Sequence, residues 1–174
     1  MTPSLERALS NFPTAELREV RDEDEKGLIG LVEAAYAEYP GCVLDLPGID
    51  ADLVAPASSA ATAGTVLWVV ADDERVVGSV GVGARSDDGQ VELKRLYVAA
   101  SHRRRGLAAG LVELVEQHAH DVEATTVDLW SDTRFADAHR LYERLGYRPT
   151  GRTRELHDPS NTTEYQFQRR LATA

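Results

Sequence analysis

Between Val91 and Trp130 the apolar pattern changes period twice, and this double change constrains the fold more than anything else in the chain. Val91–Val98 (VELKRLYV) is rich in the β-branched and aromatic residues of a strand. From about Gly106 onward, Leu107, Ala108, Leu111, Leu114, Val115 and Ala119 recur on one side of a helix. Val127–Trp130 then returns to a short, buried strand. A strand, a helix and a strand in close succession make a parallel crossover, which lays the helix across one face of a sheet.

The flanking segments fill in that sheet. Leu17–Val20 reads as a strand, and Asp22 as the N-cap of a helix carrying Leu28, Ile29, Leu31, Val32, Ala35 and Tyr36. Tyr39-Pro40-Gly41 ends it. Pro40–Pro56 reads as a structured loop, and Ala55–Gly64 (APASSAATAG) as a loop or weak helix. Thr65–Ala71 and Val76–Ala84 form a hairpin across the polar turn Asp72–Arg75. Phe135, Ala138, Leu141, Tyr142 and Leu145 keep helical spacing up to Gly146. Tyr147–Leu156 and Glu164–Leu171 make a last antiparallel pair. The order predicts an α/β (α+β) protein, with helices covering a mostly antiparallel central sheet.

Composition narrows the function. The 174 residues are read as one domain, 1–174, with 1–14 as an N-terminal extension. Nineteen Lys and Arg against 29 Asp and Glu give a net charge of −10, which argues against nucleic acid or an anionic membrane as partner. One cysteine, Cys42, excludes an internal disulfide and a four-thiolate zinc site, and His118-x-His120 lacks metal-ligand helical spacing, so no metal is expected. Glu6, Arg7 and Glu16 interrupt the stretch where a signal peptide would be apolar, and the expected location is cytoplasmic.

In so acidic a protein, a basic cluster needs a local purpose. Arg103-Arg104-Arg105 stand directly before Gly106 at the start of the crossover helix, where arginines run against the helix dipole. The first turn of a helix presents unpaired N–H groups, and Gly106 has no Cβ to keep an anion away. With no Gly-Lys-Ser/Thr and no three-glycine fingerprint, this is neither a Walker loop nor a dinucleotide motif.

Arg103-x-x-Gly106-x-Ala108, after a strand ending Leu96-Tyr97-Val98, resembles the signature of the GCN5-related N-acetyltransferases. Ala138-x-x-Leu141-Tyr142-x-x-x-Gly146-Tyr147 resembles that family's later motif. The resemblance is sharp over 91–147 and extends in layout from 65 to 171. It implies a sheet of about seven strands, splayed in the middle and flanked by about four helices. It also implies acetyl-CoA as co-substrate, its pyrophosphate on the turn Arg103, Arg104, Arg105, Gly106, Leu107 and Ala108, and its pantetheine beside Leu96, Tyr97 and Val98. Phe135 stands where the family often has Asn, three residues before Ala138.

By the same resemblance, the Val98 N–H polarises the thioester carbonyl and Tyr142 protonates the leaving thiolate. Glu92, on the signature strand, is the candidate base for the incoming amine. Each has a plainer reading: Tyr142 as a packing residue beside Leu141 and Leu145, Glu92 as half of a cross-strand ion pair. Asp132, His139 and His157 rank lower as bases, and Cys42 lacks a visible partner for nucleophilic work. The implied acceptor is a small-molecule or peptide amine, bound near 36–56 and 152–164. Those segments mix Tyr36, Tyr39, Asp45, Asp50 and Asp52 with Arg152, Arg154 and His157. The acids suit a cationic acceptor, and the arginines suit a carboxylate. Homodimers are common in the family. The rival readings are a transferase using a larger acyl-CoA and a non-catalytic CoA-binding regulatory module.

Overall fold

A computed structural model describes residues 1–172. Twelve principal elements follow in order: α1 (Pro3–Leu9), β1 (Ala15–Glu19), α2 (Glu25–Tyr36), α3 (Pro56–Ala63), β2 (Val66–Asp72), β3 (Arg75–Val82), β4 (Gln90–Val98), α4 (Leu107–Asp121), β5 (Thr126–Asp132), α5 (Ala136–Arg144), β6 (Arg148–Glu155) and β7 (Thr163–Arg170). The seven strands form one sheet in the order β1-β2-β3-β4-β5-β7-β6, parallel only between β4 and β5. The mixed, mostly antiparallel sheet therefore stands as the sequence predicts, crossover included.

Alternation along β2 sends side chains to both faces. Val66, Trp68 and Val70 join a large core with α1, α4 and α5, centred on Leu107, Leu111, Leu129 and Phe167. Leu67 and Val69 join a smaller one with Leu28 and Val32 of α2 and Ala57 and Ala60 of α3.

Five helices flank the sheet among the described residues, rather than about four. The additions are α3, in the stretch read as loop or weak helix, and α1, in the segment read as an extension. Thr2 caps α1 and Pro3 starts it, and Leu5, fully buried, meets α4 at Gly110. A Cβ on Gly110 would stand 2.8 Å from the Leu5 Cα, so glycine there sets the approach of the two helices. Asp22 does not cap α2. It opens a short 3₁₀ turn, and its carboxylate accepts from the Ser58 N–H and hydroxyl, fastening α3.

Two local distortions shape the middle of the sheet. β4 pairs with β5 only from Gln90↔Thr126 to Leu93↔Leu129, and beyond Leu93 the strands part. On its other side β4 bulges: Gly81 faces Lys94 and Ser79 faces Tyr97, leaving Arg95 and Leu96 opposite one residue. Arg95 holds a positive φ of 51°, and its carbonyl accepts from Ser79 Oγ at 2.8 Å.

Candidate active site

The parted strands open a cavity of about 610 Å³, the size of a small-ligand site. Glu92, Arg95, Leu96 and Tyr97 line it from β4, Trp130 and Asp132 from β5, Phe135 from the residue before α5, Ala138 and Tyr142 from α5, and Arg154 and Glu164 from the β6–β7 hairpin.

The ladder decides which backbone groups face the opening. Ala99 N–H donates to Val77 O, so the bonded pairs toward β3 are Val77/Ala99 and Ser79/Tyr97. Val98 lies between them, and its N–H and C=O point away from β3, into the cleft. The carbonyl accepts from Arg103 Nε at 2.8 Å. The N–H has no ladder partner, because β4 pairs with β5 only as far as Leu93. An extended thioester lying along Leu96–Val98 meets that donor first.

The turn after β4 is built to expose backbone N–H groups. Arg104 and Gly106 take positive φ angles of 64° and 85°, the second free of strain because glycine has no Cβ. The N–H groups of Gly106, Leu107 and Ala108 have no partner among the described residues, as in any first helical turn. The three arginines divide the labour. Arg103 pairs with both Glu38 oxygens at 2.7 Å, tying the turn to the end of α2. Arg105 lies over the Phe12 ring at 5.1 Å, and Arg104 is exposed. Phe12 also stacks on buried His102, which bridges Ser101 Oγ (2.8 Å) and Asp72 (2.9 Å). The support from Phe12 and His102 has no counterpart in the sequence reading.

Both readings of Tyr142 hold together. Its ring packs against Tyr147 and Phe167, with centroids 6.0 and 5.9 Å away, while the residue borders the cavity. Burial, and then the neighbouring Tyr97, push the phenol well above its usual range, so it keeps its proton.

Glu92 also lines the cavity, and it is ion-paired: Lys94 Nζ stands 3.3 Å from one oxygen and Arg154 3.9 Å from the other. The bulge prevents residues 92 to 98 from sharing one face; Glu92 and Lys94 precede it, Leu96 lies in it and Val98 follows it. Burial raises Glu164, and it raises Asp128, the strand partner of Glu92.

The lower-ranked candidates have structural duties. Asp132 is gripped by Arg134 and its N–H (2.6–3.1 Å). His139 bonds the Asp132 carbonyl at 3.0 Å and is pushed toward the neutral form by burial. His157 is exposed and does not border the cavity. Burial pushes the Cys42 thiol up, away from the nucleophilic thiolate.

The acids of the acceptor side behave differently from the expectation. Asp50 is fully buried and accepts from Arg95 (2.8 Å), the Asp45 N–H (2.9 Å) and Tyr36 (3.3 Å). Arg95 also grips Asp52 and the Ile49 carbonyl. Tyr97 donates to Tyr36 at 3.3 Å. Arg95 thus clamps the loop of residues 49–52 to the β4 bulge; Asp50 is buried away from a cationic acceptor, and Asp52, though exposed, is already ion-paired. The only trace of the clamp in the sequence is a second cation inside a strand. Phe135 stacks on Tyr39 (4.6 Å) and Tyr36 (6.2 Å), so it offers rings, not an amide, across the cleft.

Among the described residues no group of three or more metal-ligating side chains converges, and no helix is long and apolar enough to cross a membrane.

Known proteins share this fold. The chain is 33% identical over 126 residues to N-acetylaspartate synthetase of Danio rerio, 71% of this chain and 43% of that one. It thus spans less than half of that curated relative. An acetyltransferase from Streptococcus agalactiae superposes with a TM-score of 0.78 at 18% identity, covering 92% of this chain and 100% of that one. The yncA protein of Salmonella typhimurium, solved with its cofactor acetyl-CoA, superposes at 0.67 with 19% identity over 92% and 96%. The model of the acetyltransferase (GNAT) family matches residues 18–147, from the first strand through the second motif, and the chain belongs to that family.

Proposed function

We propose that this protein transfers the acetyl group of acetyl-CoA to a primary amine by direct attack, with Glu92 as base and Tyr142 as acid. One observation carries the reading: the Val98 N–H faces the parted strands a few residues before a turn of unpaired N–H groups. The turn suits a pyrophosphate and Val98 the thioester oxygen, whose charge grows as the amine attacks. The names of its relatives, N-acetylaspartate synthetase and N-acetyltransferase 8, support a nitrogen acceptor.

The residues then have ordered tasks. The acceptor ammonium gives one proton to Glu92, the free amine attacks the carbonyl, and its nitrogen passes a second proton to solvent as the C–S bond breaks. Tyr142, protonated throughout the working range, supplies the thiolate with its proton. Glu92 and Tyr142 return to their starting forms through solvent.

The test is thiol release from acetyl-CoA with a panel of amines, with mass spectrometry locating the acetyl group on nitrogen. Binding of acetyl-CoA without transfer to any amine would favour the regulatory-module reading.

A further inference from the structure

Six carboxylates line the cavity. Asp50 and Asp52 are bound by Arg95, Asp132 by Arg134, and Asp158 by the N–H and hydroxyl of Thr162 at 2.7 and 2.8 Å. Glu92 and Glu164 remain, and they sit with two cations, Lys94 and Arg154. The four charges balance. Both cations are nearly half-exposed, at 43% and 42%, whereas Glu164 is largely covered at 14%. Arg154 lies 4.5 Å above the Trp130 ring, its Nε turned to Glu164. Its terminal nitrogen stands 3.9 Å from Glu92, beyond hydrogen-bond distance, so that donor is left for a ligand. Lys94 has Glu92 as its one ion-pair partner, and an ammonium carries three donors.

A polycation finds no unpaired run of acids in such a cavity, and an uncharged amine leaves both cations without a ligand. We propose that the Trp130 end of the cavity is a subsite for a zwitterionic acceptor, a free amino acid or close analogue. Its carboxylate binds Lys94 and Arg154, and its ammonium faces Glu92 and Glu164. This rests on the acetyl-transfer reading and adds the substrate class. It also gives the carboxylate a role in rate. Glu92 leans on the two cations that the carboxylate takes over, so binding turns its oxygens toward the ammonium whose proton it receives. The nitrogen then forms the C–N bond and sheds its second proton to solvent, the C–S bond breaks, and the thiolate takes the Tyr142 proton.

The experiment measures kcat/KM for the twenty common L-amino acids, for the amines left when their carboxyl groups are removed, and for spermidine. The best amino acid is expected to exceed its carboxyl-free partner by about tenfold or more, with part of the difference in kcat. In Lys94→Gln and Arg154→Gln the difference shrinks while the Kd for acetyl-CoA, which also reports folding, stays within about twofold. A carboxyl-free amine or spermidine as best acceptor overturns the subsite and leaves acetyl transfer standing. So does a preference that survives in both folded variants. Turnover with no amine at all overturns the transfer reading and the subsite with it.

Discussion

A single hydroxyl separates the two duties of Tyr142. Tyr142→Phe keeps the ring against Phe167 and Tyr147 and removes the acid. A thiolate is already a fair leaving group, so the loss in kcat is expected at the modest end of the ~10²–10⁴-fold range for acid catalysis. Thermal stability and acetyl-CoA affinity should change little. Wild-type turnover under conditions where chemistry limits the rate would remove the acid role. Glu92→Gln tests the base in the same way. Its deficit should be largest at low pH, where most of the amine is protonated, and should fade as pH rises. A deficit constant across the pH profile would leave Glu92 only its ion pairs with Lys94 and Arg154. Both candidates were read from the sequence, Tyr142 from a motif with fixed spacing and Glu92 from its place on the strand that leads into the other motif. Their neighbours were not. Which side chains surround Glu92 depends on a register between β4, β5 and β6 that no local pattern records.

At the scale of elements, what was legible were the units with strong periodicity: the crossover, the hairpins, α4 and α5. What escaped were contacts between elements distant in sequence. Leu5 and Gly110 are such a pair. Gly110→Ala puts a methyl where only backbone approach fits, and overpacking of this kind costs about 1–3 kcal/mol. For a chain of this length, that is a fall in Tm of roughly 2–4 °C per kcal/mol. Displacing α1 also disturbs Phe12, which lies against Arg105 and His102, so the Kd for acetyl-CoA should rise with the loss of stability. Unchanged affinity in this variant would show the support from Phe12 to be dispensable. The position of the β4 bulge was hidden, because arginine at positive φ carries no glycine to announce it. Arg95→Met leaves Asp50 buried without its cation, a change that costs about 3–5 kcal/mol. Combining it with Asp50→Asn removes the stranded charge and should recover much of the stability. A double variant no more stable than the single would mean that the clamp acts through packing alone.

For the whole molecule, the expectation of a splayed sheet came from two short motifs and holds across the entire fold. The reason is physical: the cleft follows from where pairing stops, and the crossover fixes which two strands can part. Charge at this scale works against the coenzyme. The net charge of −10 repels an anionic ligand at long range, while Arg104 and Arg105 attract it near the turn. Salt screens both, so the association rate of acetyl-CoA should vary only weakly between low and physiological ionic strength. A steep fall with salt would assign the capture to the arginines alone.

Four residue pairs join β4 to β5, and across that seam the sheet is two blocks, β1 to β4 and β5 to β7. Separation of the two blocks is expected to begin where the strands already part, beyond Leu93. A molecule lying along the seam splices the blocks, and because it binds the folded chain alone it stabilises by mass action, about 2.7 kcal/mol at a hundredfold excess over Kd. Amide exchange should report the splice locally, with the Val98 N–H slowing sharply when coenzyme is added and the amides of β2 hardly at all. The fold's durability then becomes a gauge of the free coenzyme around it: a protein that is strong where the supply is rich and parts along a known line where it runs out.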